Sequence, residues 1–321
     1  MSNETDVGVH PIAQAVELLA SDSAPTRLFG IYALEGIAKD APDQRAEVGR
    51  FLAAFLRKHR RDGEQPGCET QTALTVLTRR ICAEVPELVA ELQGADLRGV
   101  FLLGAELERA NLSEASLEGA FLEGVNLEGA TLVGADLAAA NLLGANLEGS
   151  NLEGANLTDA LLFGANLEGA RMVQSSLLGA NLAGATLEDA ELGGANLGQA
   201  QLAGANLEGA ELADACLVGA ELSDANLEGA QLERTDLRRA VLARANLEKA
   251  ELRGANLAGA DLRGANLENA DLDGANLEAA DLHGAVLTDA DLSRATGLTT
   301  EQLEQAASLD GAAIPEGVGG R

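Results

Sequence analysis

Glutamates recur at one fixed interval along half of the chain, and their spacing is the sequence feature most suggestive of chemistry. They are Glu108, Glu128, Glu148, Glu168, Glu188, Glu208, Glu228, Glu248 and Glu268. Paired carboxylates act as general acid and base when their surroundings separate their pKa values. Converging carboxylates bind Ca²⁺, which needs about six to eight oxygen ligands around one point. Either chemistry depends on the elements that position these side chains.

Other residues that support catalysis are sparse. The three histidines, His10, His59 and His283, lie far apart in the sequence, and there is no phosphate-binding loop or nucleophile elbow. The three cysteines are odd in number and lack metal-ligand spacing, which is typical of reduced thiols in the cytoplasm. The sequence therefore predicts no enzyme, no catalytic residues, no cofactor and no metal site.

Composition and charge restrict the class of partner. The chain has 321 residues, of which 46 % are hydrophobic, so it can bury a substantial core. Its formal net charge of −29 disfavours direct contact with nucleic acid or an anionic membrane, because both attract basic surfaces. Neither a signal segment nor an apolar run of about 18 residues is present. We expect a cytoplasmic protein with a protein partner.

The glutamates lie within a five-residue repeat that runs from Ala90 to Arg294 without insertion or deletion. Its 41 words have Leu at the centre, except at Met172. Ala stands two residues before each centre, except at Val100, Val125, Ser150, Ser175 and Thr235. A period of five fits neither a helix, which has 3.6 residues per turn, nor a strand, in which side chains alternate with a period of two residues. A fixed short period predicts a solenoid, in which each coil buries apolar residues against the next.

The words resemble those of the pentapeptide repeat family, A(N/D)LXX. Good matches are Ala145-Asn-Leu-Glu-Gly149 and Ala265-Asn-Leu-Glu-Asn269. The resemblance implies a mainly β fold: a right-handed quadrilateral parallel β-helix with four words per coil. In that fold the central Leu and the residue two before it point inward. Residues 90–294 would then form about ten coils and a rod about 50 Å long.

Segments on either side of the repeat predict α-helical caps. Residues 10–89 are expected to form an α-helical unit, with a helix from Pro11, a second ending near 40–42, a third over about 43–61 and a fourth over about 69–84. Beyond the repeat, Thr299 and Gln302 fit a capping box. We therefore expect a C-terminal capping helix within 295–310, from about Thr300 to Ser308. Residues 1–9 are expected to be a disordered start, and 311–321 a flexible tail.

One basic run stands out in the nearly neutral helical unit. It consists of Arg57, Lys58, His59, Arg60 and Arg61. Cations at a helix C-terminus complement the helix dipole, and we favour that interpretation. An anion-binding patch is the alternative.

Four words per coil place equivalent residues of successive coils above one another, so the outer surface can be read face by face. The nine glutamates then form a straight, solvated ladder, which neither separates pKa values nor surrounds a cation. Asparagines beside them can hydrogen-bond along the stack, whereas stacked carboxylates repel. A second face is acidic in its later half, and another is mixed. The second face carries Glu191, Glu211, Glu251, Asp271 and Asp291.

Outward apolar residues cluster in the early coils of the remaining face. They are Phe101, Leu103, Phe121, Leu143, Leu161 and Phe163. Such a cluster indicates a contact surface. We expect the helical unit to fold back onto it, with a homodimer interface as the alternative.

Two functions remain open at this point. Outward faces without a catalytic set favour a non-enzymatic protein–protein interaction or scaffolding module. Residues 90–294 contain 34 acidic and 11 basic residues, so the rod carries about one net charge per 2 Å, against about one per 1.7 Å in duplex DNA. This density, and a resemblance to the quinolone-resistance branch of the family, imply the alternative: a DNA mimic that binds a type II topoisomerase such as DNA gyrase. The late arginines either weaken that mimicry or pair with neighbouring carboxylates.

Overall fold

The computed structural model describes residues 10–59, 67–85 and 87–318. Four helices precede a long stack of coils in these ranges, and one short helix follows it. The expected disordered start, residues 1–9, lies outside the described residues, as do Arg60, Arg61 and Pro86.

The N-terminal helices are α1 (Pro11–Leu19), α2 (Ala24–Asp40), α3 (Arg45–Lys58) and α4 (Cys68–Val76). A 3₁₀ turn, Pro42–Gln44, precedes α3, so the third helix begins two residues later than expected. After Val76 the chain continues as one π-helical turn, Leu77–Ile81, and a 3₁₀ turn, Cys82–Glu84. The helices enclose buried apolar side chains such as Ile31, Leu52 and Leu74. Over the described ranges, no helix is both long and apolar enough to cross a membrane.

Each word of the repeat forms the same unit. The residue before the central Leu makes one parallel bridge with its counterpart four words later, from Glu91–Asn111 to Asn276–Thr296. One coil therefore contains four words and has four sides. Two residues of every word form a turn, so the bridges are isolated. The coils therefore contain less β structure than the expected mainly β fold implies.

The turns explain why most words end in Gly. The fifth residue of each word adopts a positive φ, from Gly94 to Asp289. Of these 40 corner residues 24 are glycine, which adopts this left-handed conformation without steric cost. Between corners, backbone bonds join adjacent coils: Leu227 N–H donates to the Asn246 carbonyl at 2.6 Å, and Asn246 N–H donates to the Ala225 carbonyl at 2.9 Å.

The core of the rod consists of the inward Leu and Ala residues, which are almost fully buried from Ala90 to Leu292. Three inward positions are polar, and their hydroxyl groups donate to backbone carbonyls. Ser150 Oγ donates to Leu147 at 2.7 Å, Ser175 Oγ to Met172 at 2.7 Å, and Thr235 Oγ1 to Leu212 at 2.9 Å. These bonds remove most of the penalty for burying a hydroxyl.

The helical unit closes the N-terminal end of the rod. Gln71 Nε2 donates to the Phe101 carbonyl at 2.7 Å, and Phe101 N–H donates to Gln71 Oε1 at 2.8 Å. Arg79 Nη2 donates to the Leu103 carbonyl at 2.8 Å, and Arg57 Nη1 to the Glu91 carbonyl at 2.9 Å. The unit therefore bonds to backbone groups of the first coil.

The C-terminal end is closed by α5 (Thr300–Gln305), which begins with the expected capping box of Thr299 and Gln302. Gln302 Nε2 donates to the carbonyls of Leu277 and Ala280 at 3.0 and 2.9 Å. Leu298 and Leu303 are buried against the last coil, as expected.

The helix α5 ends three residues before the expected Ser308. It ends early because Ser308 makes a parallel bridge to Val286. Ala313 then bridges Asp291, so the expectation of a flexible tail from residue 311 is wrong for this part. The reason is that the last full coil still offers backbone groups: Ala313 N–H donates to the Ala290 carbonyl at 2.9 Å.

Candidate interaction surfaces

The nine glutamates lie on one side of the rod, here called the ladder face: residues 105–109 and their counterparts in each later coil. Asparagines organise this face. Asn226 Nδ2 donates to Asn206 Oδ1 at 3.0 Å and to Glu208 Oε2 at 3.2 Å. Its own Oδ1 accepts from the backbone N–H of Glu228 at 3.3 Å. The Asn226 amide therefore ties one coil to the preceding one and orients a carboxylate.

Most asparagines of the ladder face donate to the asparagine of the preceding coil. The Asn-to-Asn bonds measure 3.0–3.2 Å and are made by Asn146, Asn166, Asn226, Asn246 and Asn266. Thr186 interrupts the series, and Asn206 donates to Glu188 alone, at 3.3 Å. The expected hydrogen bonding along the stack is confirmed. Repulsion between stacked carboxylates is offset, because amide donors lie between several of them.

The glutamates remain accessible. Glu108, Glu128, Glu148 and Glu168 are exposed, whereas Glu188, Glu228, Glu248 and Glu268 are half-buried. They follow the rod axis in a line and do not converge. Across residues 10–59, 67–85 and 87–318, no group of three or more His, Cys, Asp or Glu side chains could hold a metal ion.

Charge is distributed unequally over the four sides. The ladder face carries 12 acidic and 2 basic residues. The adjoining side is here called the second acidic face (residues 90–94 and their counterparts). It carries 11 acidic and 4 basic residues. The remaining two sides together carry 11 acidic and 5 basic residues. Two adjoining faces therefore hold 17 of the 23 net negative charges of the rod.

The late arginines pair with neighbouring carboxylates, which was one of the two expectations for them. Arg234 binds Asp214 and Arg244 binds Asp224, each at 2.6 Å and each across one coil. The hydrogen bond from Arg234 holds the pKa of the Asp214 carboxyl below its ordinary value. Lys249 binds Glu228 at 3.0 Å and Glu248 at 2.9 Å. Such exposed pairs add little stability, and they leave the rod acidic.

The six apolar residues predicted to form a contact surface lie together on one side, here called the apolar patch. Their exposed fractions are 40–56 %, and the rings of Phe101 and Phe121 stack with centroids 4.6 Å apart. The expectation that the helical unit covers this patch is wrong for the described residues. Gln71 and Arg79 bond to the backbone edge of the first coil instead, because unpaired N–H and C=O groups cost more than exposed side chains.

Leu178 was missed by the sequence interpretation. It is 40 % exposed on the neighbouring mixed face. Its outward position in the word was the available signal. It extends the exposed apolar surface beyond the predicted patch.

A buried ion pair in the helical unit also escaped the sequence interpretation. Arg27 Nη2 lies 2.6 Å from Glu69 Oε1, and His59 Nε2 lies 3.5 Å from the same oxygen. Burial raises the pKa of Glu69, but the hydrogen bond and charge of Arg27, together with hydrogen bonds from the backbone and Cys68, outweigh it and lower the pKa to about 2. No local pattern could have indicated this pair, because its members lie far apart in the sequence.

This fold defines a class of protein: a solenoid of four-sided coils in which each side is one five-residue word. The profile of pentapeptide repeats matches in eight copies, over residues 90–129, 122–159, 155–199, 190–229, 220–259 and 260–296. The chain belongs to the pentapeptide repeat family. Among proteins with curated descriptions, none matches it.

Several solved structures are similar to this chain. HetL, involved in heterocyst differentiation regulation in the cyanobacterium Nostoc sp. strain PCC 7120, is 37 % identical over 59 % of this chain and 84 % of its own, with a TM-score of 0.38. A trypsin-treated form of QnrB1, a plasmid-mediated fluoroquinolone resistance protein, is 24 % identical over 58 % and 90 %, with a TM-score of 0.48. Rfr23 from the cyanobacterium Cyanothece 51142 is 40 % identical over 32 % and 62 %, with a TM-score of 0.25. With TM-scores this low, none of their functions is carried over to this chain.

Proposed function

We propose that this chain is a non-enzymatic interaction module of the cytoplasm. It presents the ladder face and the second acidic face to a basic surface of a protein partner. The observation that carries the proposal is the concentration of negative charge on these two adjoining faces. We also infer that the coils wind in the right-handed sense of the family, with 10–89 and 295–310 as caps.

Preorganisation supports this function. The Asn amides hold several carboxylates in place before a partner arrives, for example Glu148 Oε2 at 3.1 Å from Asn166 Nδ2. A prepared surface loses less side-chain entropy on binding than a flexible one. A field of one sign also accelerates encounter with an oppositely charged partner.

Affinity purification from the native cell at about 0.05 and about 0.5 M NaCl tests the proposal, because salt screens exposed charges. We expect a protein with a basic surface to be captured at low salt and lost at high salt. A set of captured proteins that is neither basic nor salt-sensitive would contradict it.

The alternative function is a DNA mimic that binds a type II topoisomerase such as DNA gyrase. Charge density supports it, since pairing of the late arginines with nearby carboxylates leaves no continuous basic surface on the rod. Coils repeat at about 4.8 Å, whereas phosphates repeat at about 3.4 Å along each DNA strand. A topoisomerase would therefore recognise charge density rather than the register of phosphates.

Supercoiling by DNA gyrase over a range of concentrations of this protein tests the alternative. Mimicry predicts inhibition at high protein concentration, or relief of quinolone inhibition. Unchanged supercoiling together with unchanged quinolone sensitivity would eliminate it and leave the first proposal intact.

A further inference from the structure

A cleft of about 530 Å³ lies between α1 and α3 of the helical unit. The described residues that line it belong to α1, α2, α3 or the turns that adjoin them. The apolar part is formed by Val16, Leu19, Phe51, Ala54 and Phe55. Its volume falls within the range of about 300–1,000 Å³ typical of small-molecule sites.

Charged residues line the remainder of this cleft. They are Arg27, Lys58 and His59, together with Asp22. Glu69 pairs with Arg27 and His59, as described above. Arg27 and Lys58 are the two permanent cations at the polar part, beside the carboxylates of Asp22 and Glu69, and they are the groups that an anionic head would contact.

Arg27 provides a specific donor at this polar part. Its side chain is only 12 % exposed. Nη2 binds Glu69 at 2.6 Å, and Nη1 donates to the Ser21 carbonyl at 2.9 Å. Its Nε is buried and has no hydrogen-bond partner among the described residues. An unpaired buried N–H group is unfavourable, and an anionic oxygen is the strongest acceptor for it.

We propose that the cleft binds a soluble amphipathic anion, with an acyl chain against Val16, Leu19, Phe51 and Phe55 and a carboxylate or phosphate head at Arg27 and Lys58. The large negative charge of the chain does not prevent this, since residues 10–89 contain 10 basic and 11 acidic residues. Charges of the distant coils are screened beyond about 8–10 Å at physiological salt. The site is separate from the acidic faces and does not depend on the function proposed for them.

Calorimetric titration of the full-length chain tests this site, with monomeric decanoate as the probe. Decanol supplies the chain without the charge, and inorganic phosphate supplies the charge without the chain. Vesicles of phosphatidylglycerol distinguish a membrane lipid from a soluble amphiphile. We expect decanoate to bind with one site per chain, and the other three probes to bind at least about tenfold more weakly, since either half of the ligand loses its partners.

Two variants locate the site. Ala54→Trp fills the apolar part and should abolish decanoate binding, whereas Ala33→Trp, on the exposed side of α2, should not. Lys58→Glu reverses an exposed charge at the polar part and should weaken binding at least about fivefold. Arg50→Glu, exposed on the same helix but outside the cleft, is its control.

The proposal is overturned by any of four results. If decanol binds as tightly as decanoate, the anionic head does not contribute to binding. If phosphate binds as tightly as decanoate, the acyl chain does not contribute. Binding to vesicles without binding to decanoate assigns the surface to a membrane. Decanoate binding that survives both Ala54→Trp and Lys58→Glu places the ligand elsewhere.

Discussion

Gln71 pairs with Phe101 through both ends of its side-chain amide, donating to the carbonyl at 2.7 Å and accepting from the N–H at 2.8 Å. A side chain on a helix thereby supplies the two hydrogen bonds that a preceding coil would supply. At the opposite end Gln302 donates to two carbonyls of the last coils. Open edges with unpaired backbone groups promote aggregation, so these glutamines help to limit the rod.

Substituting Gln71→Leu removes the two bonds to Phe101. We expect the free energy of unfolding to fall by about 1–2 kcal/mol, since each bond contributes about 0.5–1.5 kcal/mol net. Urea unfolding followed by circular dichroism measures this, and light scattering reports aggregation. Gln14→Leu, exposed on α1, is the control. Equal effects of the two substitutions would show that Gln71 does not cap the rod.

Two adjacent glycines isolate the effect of backbone strain, because a new Cβ would be crowded at neither position. Gly194 has φ +64°, whereas Gly193 does not have a positive φ and would place a new Cβ no closer than 3.9 Å to the Ala213 carbonyl oxygen. Gly194→Ala should destabilise the rod by about 1 kcal/mol, because alanine disfavours the left-handed region. Gly193→Ala should be neutral or slightly stabilising. Thermal unfolding of both variants checks this, and equal melting temperatures would contradict the assignment of the corners.

Replacing Thr186, which interrupts the series of asparagines, should increase the stability of the rod. Thr186→Asn places an amide between Asn166 and Asn206 and should complete the series of hydrogen bonds. We expect an increase of about 0.5–1.5 kcal/mol in the free energy of unfolding. Thr186→Val, which keeps the β-branched shape without an amide, should give no gain. A destabilising effect of Thr186→Asn would show that the bonds between asparagines do not stabilise the stack.

The pKa of Glu69 predicts how the helical unit responds to acid. The folded pKa is lowered from 4.5 to about 2, so the contribution of the ionised Glu69 carboxylate to stability is complete above pH 4.5 and is lost as the pH falls toward 2. That contribution is about 3 kcal/mol at neutral pH. Glu69→Gln should therefore destabilise strongly at about pH 6 and progressively less below about pH 4.

Urea unfolding of wild type and Glu69→Gln across this pH range measures the difference. Glu17→Gln, exposed on α1, controls for loss of one surface charge. A difference between wild type and Glu69→Gln that does not change with pH would contradict the assigned shift.

The inward Leu and Ala positions could be predicted from the sequence because burial repeats at a fixed spacing. The four words per coil that the family resemblance implied then predicted which residues stack and which share the ladder face. The Asn-to-Glu bonds depend on side-chain rotamers across coils, and only the possibility of bonding along the stack could be foreseen. The pairing of the late arginines remained one of two expectations for the same reason.

The arrangement of the helical unit could not be predicted. Its contact with the rod depends on Gln71, Arg57 and Arg79, which bond to backbone carbonyls and leave no pattern in the sequence. The patch containing Phe101 was identified correctly as exposed apolar surface, but its expected cover was wrong. Arg27 and Glu69, whose pairing borders the cleft, are distant in the chain and carry no local signal.

The central claim is that the position of the carboxylates, rather than net charge, captures the partner. We would quantify partner recovery, by mass spectrometry after affinity purification at low salt, for two fourfold variants. One carries Glu→Gln at Glu108, Glu128, Glu148 and Glu168. The other removes the same number of charges from the other two sides, at Glu118, Glu123, Asp159 and Glu278, all exposed or half-buried. We expect recovery to collapse for the first variant and to persist for the second; equal recovery by both would contradict the claim.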